Sequence, residues 1–448
     1  MDLCGKFLTS ANVGKLMNDK KIPTSKWQRS AITGMTTARI GLKHLGHLGS
    51  KALSREKVQK QALHEAEIGK ILINAFMQLR GTALKVAQMM SMELDMLPDA
   101  IRRELAKACS QVTPLNRAHI RKVFLNEFGQ APEQIFKSFE ADAFAAASLG
   151  QVHRAVLKSG EIVAVKIQYP GIAASIRNDV QLVRGIMKTV SKGTSYLPDW
   201  EIIDSVLNDV QAQLEQEVNY VQEAANTDWF RQKNQMPSIH IPLVYEDYSS
   251  EKILVTQLMP GKHIDAWLED EPEQEARNHY GQLLMNMFSH HLYDLGVLHA
   301  DPHPGNFLFN PEQGISLLDF GCIQKLKPGF PQTLVKLCTR DPEKIFYAYQ
   351  TQGIIRQDLS FEEFEHGFFP LIEPIQNWMS MPFQTAEFDF ALLPPMPQKH
   401  TQNMKYAVKQ VGEVRQDQVF FDRSFLGLLS LLRRMKAKIV TQGLLRDN

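Results

Sequence analysis

An α+β fold is expected for this 448-residue chain, because helical and strand-like patterns alternate along it in three recognisable ways. Residues 144 to 168 read as strand, turn and strand, the turn being Lys158-Ser159-Gly160-Glu161. Around residues 298 to 309 and 317 to 321, apolar runs bracket a cluster of polar residues. Elsewhere apolar residues recur three or four apart over long stretches, the mark of amphipathic helices.

The polar cluster is the most informative stretch. In Leu298-His299-Ala300-Asp301-Pro302-His303-Pro304-Gly305-Asn306, an aspartate and an asparagine stand five residues apart, and Asp319-Phe320-Gly321 follows. Phosphoryl transfer needs a carboxylate where the acceptor oxygen arrives, and oxygen ligands that hold Mg²⁺ across nucleotide phosphates. Asp301, Asn306 and Asp319 lie in the order in which a kinase-type site lays out those groups. A lone Asp-Phe-Gly is more often a polar turn; the three in register favour the catalytic reading. A competing reading takes His299, Asp301 and His303 as alternating metal ligands of a hydrolase.

Totals set the outer limits. At 44% hydrophobic residues the chain is long enough for two or three domains with their own cores. The net charge of +1 gives no reason to expect a nucleic-acid partner. The distribution is more telling: residues 1 to 60 hold twelve Lys or Arg against three acidic residues, so the head carries +9 and the remainder about −8. That asymmetry points to an anionic surface as partner. Cys4, Cys109, Cys322 and Cys338 show no paired spacing, which suits a reducing compartment. No apolar run reaches the roughly 18 residues of a membrane span, and charges interrupt the N-terminus where a signal peptide has its apolar core. The protein is therefore expected to be soluble or peripheral.

Taken in order, residues 1 to 53 form a basic segment, in which the glycine-spaced stretch 31 to 53 is either an ordinary packed helix or one lying on anionic lipid. Residues 54 to 97 read as one long helical region that carries Lys85 and Gln88 three apart, hence on one face. A helix follows over residues 117 to 128. Next come Ala145, Ala146, Ala147 and Ser148, where most kinases place a glycine-rich phosphate loop; each added Cβ limits how closely such a loop covers phosphates. The following strand ends in Val163-Ala164-Val165-Lys166, the pattern of a lysine that pairs with nucleotide phosphates. A long acidic helix over residues 200 to 230 offers Glu217 and Glu223 as partners for Lys166. Residues 252 to 261 read as a buried strand entering a connector, with Thr256 and Met259 where an adenine would meet the backbone. The acidic run 269 to 275 reads as a loop, 276 to 295 as a helix, 380 to 402 as a proline-rich crossing, and 424 to 440 as a last amphipathic helix.

On these residues the chain resembles the UbiB/AarF family of atypical kinase-like proteins, in its ubiquinone-biosynthesis branch, from about Leu79 onwards. The resemblance rests on the Lys85 to Gln88 motif, the alanine stretch, the Val-Ala-Val-Lys lysine, the Glu217 to Asn219 region, the string 299 to 306 and Asp-Phe-Gly. It implies a protein-kinase-like two-lobe fold with an N-terminal helical extension. The segments would be a basic, membrane-associating 1–53, an extension 54–130 with the Lys/Gln motif, an N-lobe 131–260 and a mainly helical C-lobe 261–448.

The resemblance implies ATP and Mg²⁺ as cofactors. Lys166 would hold the α and β phosphates and pair with Glu223. Asp301 would be catalytic base or water-orienter, and Asn306 and Asp319 metal ligands. Ala145, Ala146, Ala147 and Ser148 would cover the nucleotide, while Lys85 and Gln88 would cross the entrance as active-site residues. Three departures stand out: Ala87 in place of the motif's glycine, Asn219 in place of an aspartate, and Gln257 in place of a hinge glutamate.

The expected function is that of an atypical kinase or ATPase supporting ubiquinone synthesis. Its expected partners are ATP, an anionic membrane surface, isoprenoid lipid intermediates and quinone-biosynthesis proteins. The expected location is cytoplasmic and peripheral to an inner membrane, or the matrix side of the mitochondrial one in a eukaryote. Alternatives are a conventional serine/threonine protein kinase and a nucleotide-gated scaffold without turnover.

Overall fold

In the computed structural model the described residues are 86, 89, 116–147, 149–193, 200–301, 303–312, 314–397, 410 and 416–446. The basic head, most of the helical extension, Lys85, Gln88 and Ser148 lie outside them. Val86 and Met89 are helical and buried, in keeping with the helical reading of their stretch. The chain divides into two compact units, residues 1–112 with 174–210, and residues 113–173 with 211–448. In the first, helices α2 (Ile172–Gly193) and α3 (Trp200–Glu217), each of which also runs into the second unit, are linked by Arg184, whose guanidinium donates to Asp204 and Asn208, each at 2.7 Å.

The second unit holds everything that positions the candidate site. It opens with α1 (Arg117–Phe128), which starts where the Asn116 side chain accepts the His119 N–H at 3.0 Å and stops at Gly129, whose φ of 68° closes the helix. An antiparallel sheet follows, built from β1 (Ser138–Phe139), β2 (Ala145–Ala147), β3 (Gly150–Val156), β4 (Ile162–Gln168) and β6 (Ile253–Gln257), in the order β1-β3-β4-β6 with β2 also on β3. Strand side chains alternate between faces, and this sheet uses the alternation to separate core from cleft. Val163, Val165, Ile167, Ile253 and Val255 pack with Ile120, Val123 and Phe124 of α1. Phe124 meets Phe136 and Phe139 edge-on at 5.9 and 5.7 Å. Burying a phenylalanine in this way stabilises by roughly 2–3 kcal/mol. Ala164, Lys166 and Thr256 therefore point to the opposite face.

Two departures from the sequence reading bear on the site. The expected helix over residues 200 to 230 is two helices, α3 and α4 (Tyr220–Lys233), broken at Val218 and Asn219. The break is held from outside: the buried Gln168 side chain donates to the carbonyls of Val218 (2.5 Å) and Glu251 (3.1 Å). Asn219 then caps α4, its side chain accepting the Gln222 N–H at 3.0 Å. A cap of this kind contributes about 1 kcal/mol, so Asn219→Ala should lower unfolding stability by about that amount in a urea titration. Asn219→Asp should match or exceed the wild type, because a carboxylate caps equally well and suits the helix dipole.

The strand expected to run from the alanine stretch to Val156 is also two strands, β2 and β3. Residues 145–147 are a strand paired with β3, Ala145 opposite Val152 and Ala147 opposite Gly150. Cross-strand partners share a face. Since Val152 is in turn opposite Lys166, Ala145 and Ala147 lie on the lysine's face, and Ala146, opposite Gln151, on the other.

The remainder is mainly helical around one large core. It includes α5 (Gln274–Ser289), α6 (Phe330–Leu337), α7 (Pro342–Gln352), α8 (Phe369–Ser380) and α9 (Gln416–Met435). The expected final helix to Val440 ends earlier. Lys436 takes a positive φ of 53°, and Lys438–Val440 form a strand that pairs with Glu387–Asp389 from the proline-rich crossing.

Candidate nucleotide and metal site

Two short pairings bring the polar residues together. Strand β8 (Phe307–Asn310) pairs with β9 (Gly314–Leu317), which also pairs in parallel with β5 (Ile239–His240); Phe307 is opposite Leu317, and the Leu318 N–H donates to the Asn306 carbonyl at 3.0 Å. Asp319 is thereby set next to Asn306. Strand β7 (Val297–His299) pairs with β10 (Ile323–Lys325), His299 opposite Ile323, and the Ala300 N–H donates to the Cys322 carbonyl at 2.9 Å. The loop carrying Asp301 thus runs beside Asp-Phe-Gly.

Side chains lock this frame. The Asn306 amide nitrogen donates to both the carbonyl (3.1 Å) and the carboxylate (2.8 Å) of Asp301. The Gly321 N–H donates to Asp319 Oδ1 at 2.8 Å, and the His299 imidazole Nε2 bonds the Asp319 carbonyl. With that nitrogen engaged, and with no group of three or more His, Cys, Asp or Glu among the described residues placed to hold a metal, the hydrolase reading of His299, Asp301 and His303 finds no support. His303 instead accepts the Gly305 N–H at 3.0 Å and shapes the loop.

From the sheet, Lys166 reaches into the same place. Its ammonium lies 2.7 and 2.8 Å from the two Glu223 oxygens and 3.2 Å from Asp319 Oδ2. Of the two glutamates considered, Glu223 is the one that meets the lysine, because it stands on α4, beyond the break. The electrostatics follow from one cation between two carboxylates in a buried setting. Burial works against the Lys166 charge, but Asp319 and Glu223 hold its pKa well above the usual value. Burial and then Asp319 push the Glu223 carboxyl up to about 7 against the pull of Lys166. Asp319 is raised by burial but lowered by Lys166 and the Gly321 N–H, and lies below the ordinary carboxylate range.

Other side chains surround this junction, and of them Val152, Asn226, Arg423 and Ser424 carried no recognisable signal in the sequence. Val152 and Ala164 share the Lys166 face and are half-buried, as is Thr256, opposite Ala164. Arg423, on α9 and far away in sequence, places a guanidinium nitrogen 3.7 Å from Asp301 Oδ1. Ser424 beside it donates to the His299 carbonyl at 3.2 Å, which ties that helix to the loop. Asn226 donates to the Phe320 carbonyl at 2.9 Å, tying α4 to Asp-Phe-Gly. Met259 is half-buried and Gln257 exposed in the connector.

Behind the loop, His291 is buried with its ring 5.0 Å from Phe230, which in turn lies 5.1 Å from Phe320. Burial, with His299 and His290 nearby, brings its pKa down to about 3. A base with a depressed folded pKa takes up protons more readily when unfolded. Stability should therefore be intact above about pH 6.5 and fall towards pH 3. Between pH 6.5 and 5 the loss should be about 2 kcal/mol, from 1.36 kcal/mol per unit, and His291→Leu should flatten that slope in urea titrations.

The donor set fits Mg²⁺, which takes oxygen ligands. Asn306 spends its NH₂ on Asp301, which turns the amide oxygen away from that carboxylate, and Asp319 Oδ2 faces the cleft towards Lys166. The profile of the ABC1 atypical kinase-like domain matches residues 107–345, more than half of the chain. The chain belongs to the ABC1 atypical kinase-like family. Among ABC1 relatives, the atypical kinase COQ8B of Rattus norvegicus mitochondria is 31% identical over 310 residues, which are 68% of this chain and 57% of that protein. COQ8B of Danio rerio is 28% identical over 68% of this chain and 49% of its own length. A chloroplastic aarF domain-containing protein kinase of Arabidopsis thaliana is 30% identical over 75% of this chain and 47% of that protein. The chain spans about half the length of the curated relatives it matches. A solved structure, the complex of Rv3197 with erythromycin from Mycobacterium tuberculosis, superposes with a TM-score of 0.58 at 22% identity, covering 87% of this chain and 97% of that one, and shares the fold. No described helix is long and apolar enough to cross a membrane.

Proposed function

We propose that this ABC1 protein binds ATP with Mg²⁺ and turns it over slowly, coupling that turnover to isoprenoid quinone synthesis at an anionic membrane surface. The observation that carries the reading is the junction of Lys166, Glu223 and Asp319 beside the Asp301–Asn306 pair. Lys166 would bind the α and β phosphates, held in place by Glu223. Asn306 and Asp319 would hold Mg²⁺, which neutralises phosphate charge when bound. Asp301 would orient the attacking oxygen and accept its proton, with Asn306 and Arg423 fixing the carboxylate. The likeness to the COQ8B kinases and the +9 charge of the first 60 residues support the quinone and membrane parts of the reading.

Lys85 and Gln88 would cross the entrance, and Ala145, Ala146, Ala147 and Ser148 would cover the phosphates. This arrangement favours water or a small lipid-linked acceptor over a protein hydroxyl. The test is ATP hydrolysis by the purified chain with and without vesicles containing anionic lipid, before and after chelation of Mg²⁺. Turnover that needs Mg²⁺ and rises with anionic vesicles is expected. Turnover indifferent to chelation, or normal quinone intermediates in cells lacking the protein, would overturn the reading. Labelled phosphate moving to a partner protein would point to a conventional protein kinase instead.

A further inference from the structure

We propose that Tyr220 is a positioning residue of the nucleotide site, its ring holding the Lys166 ammonium on the side that the two carboxylates leave open. The inference rests on Lys166 being the phosphate-binding lysine. Tyr220 is the first residue of α4, three before Glu223 and so on the same helical face. It is 2% exposed, and the Lys166 Nζ stands 5.0 Å from its ring centroid, inside the range over which an aromatic face attracts a cation. The ring is fixed by Val244, Ala224 and Leu254, and Leu254 is the cross-strand partner of Lys166.

The other end of the side chain is equally constrained. A Cβ at Gly150 would strike the Ile167 carbonyl and stand 2.9 Å from the Tyr220 hydroxyl. Glycine at this position therefore makes room for the tyrosine. Gly150 lies opposite Ala147, so one side chain spans from the lysine to the end of the alanine hairpin. The chemistry of the ring suits this place. A third carboxylate would repel an incoming phosphate, and an aliphatic side chain would let the ammonium swing. A neutral aromatic face attracts the cation without competing for the anion.

An ordinary core tyrosine would show no dependence on the phosphates of the ligand, which makes the role testable. Titration calorimetry of the full chain with ADP and with adenosine, both with Mg²⁺, separates the two cases, because adenosine lacks both phosphates that Lys166 would hold. In Tyr220→Leu, ADP affinity should fall about tenfold while adenosine affinity stays within about twofold, a tenfold change being 1.4 kcal/mol. Tyr220→Phe should stay within about threefold of the wild type for both. Should Tyr220→Leu fail to fold, phenylalanine and pentafluorophenylalanine at position 220 both keep the ring's shape, but only the fluorinated ring loses its negative face, so ADP affinity should drop only with the second. Equal ADP affinity for those two, or a folded Tyr220→Leu with the wild-type ratio of ADP to adenosine affinity, would overturn the inference. Wild-type protein that binds neither ligand would overturn the reading of Lys166 and this inference together.

Discussion

Lys166→Met should abolish nucleotide binding and lower the stability of the fold in one step. The substitution leaves Glu223 and Asp319 facing each other without their shared ammonium, in a place where Glu223 is 2% exposed. Removing one member of a buried ion pair costs about 3–5 kcal/mol when the survivor keeps its charge. Here the survivor has an escape, because the Glu223 carboxyl is already pushed up to about 7 by burial and Asp319. An acid whose folded pKa is raised stabilises the fold most when protonated, below its unfolded value of about 4.5, and that contribution is lost as pH rises through about 7. The destabilisation by Lys166→Met should therefore be larger at pH 8 than at pH 6. Urea titrations at both values, with ATP titrations alongside, measure it. A variant that is equally stable at both pH values and still binds ATP would show that Lys166 has neither role.

Asp301→Asn should have the opposite profile, with catalysis lost and structure retained. Asparagine is isosteric and its amide oxygen still accepts from the Asn306 side chain, whose bond to the Asp301 carboxylate is 2.8 Å. What disappears is the capacity to accept a proton from the attacking oxygen. General-base contributions are typically about 10²–10⁴-fold, so ATP turnover should fall by that order while ATP affinity stays within a few-fold. Single-turnover hydrolysis with the binding isotherm separates the two quantities. Hydrolysis as fast as in the wild type would mean that Asp301 does not act as base or water-orienter.

The short-range features of the site were legible because each depends on a local backbone rule. The Lys166 strand, the turn at residues 158 to 161, the α1 helix over 117 to 128 and the β6 strand all follow from periodicity and turn residues. Asp301, Asn306 and Asp319 stood out because phosphate chemistry demands those groups at short, recognisable spacings. The break between α3 and α4 was not legible. Its helical pattern is continuous across residue 218, and the feature that interrupts it is Gln168, about fifty residues earlier, which captures the Val218 carbonyl. The strand at residues 438–440 was hidden in the same way, since its partner is Glu387–Asp389.

Sequence periodicity and motif spacing were enough to predict an α+β chain, its candidate lysine and its three oxygen-bearing side chains, because spacing along a strand or loop sets which groups share a face, and the kinase-like fold followed from the resemblance of those motifs to the UbiB/AarF family. Folding alone settled which glutamate meets Lys166, that Tyr220 lies under the ammonium, and that Arg423 from the last long helix reaches Asp301. Those contacts join residues tens to more than a hundred positions apart, and their geometry is set by how helices pack on the sheet and loop. No local pattern encodes that packing.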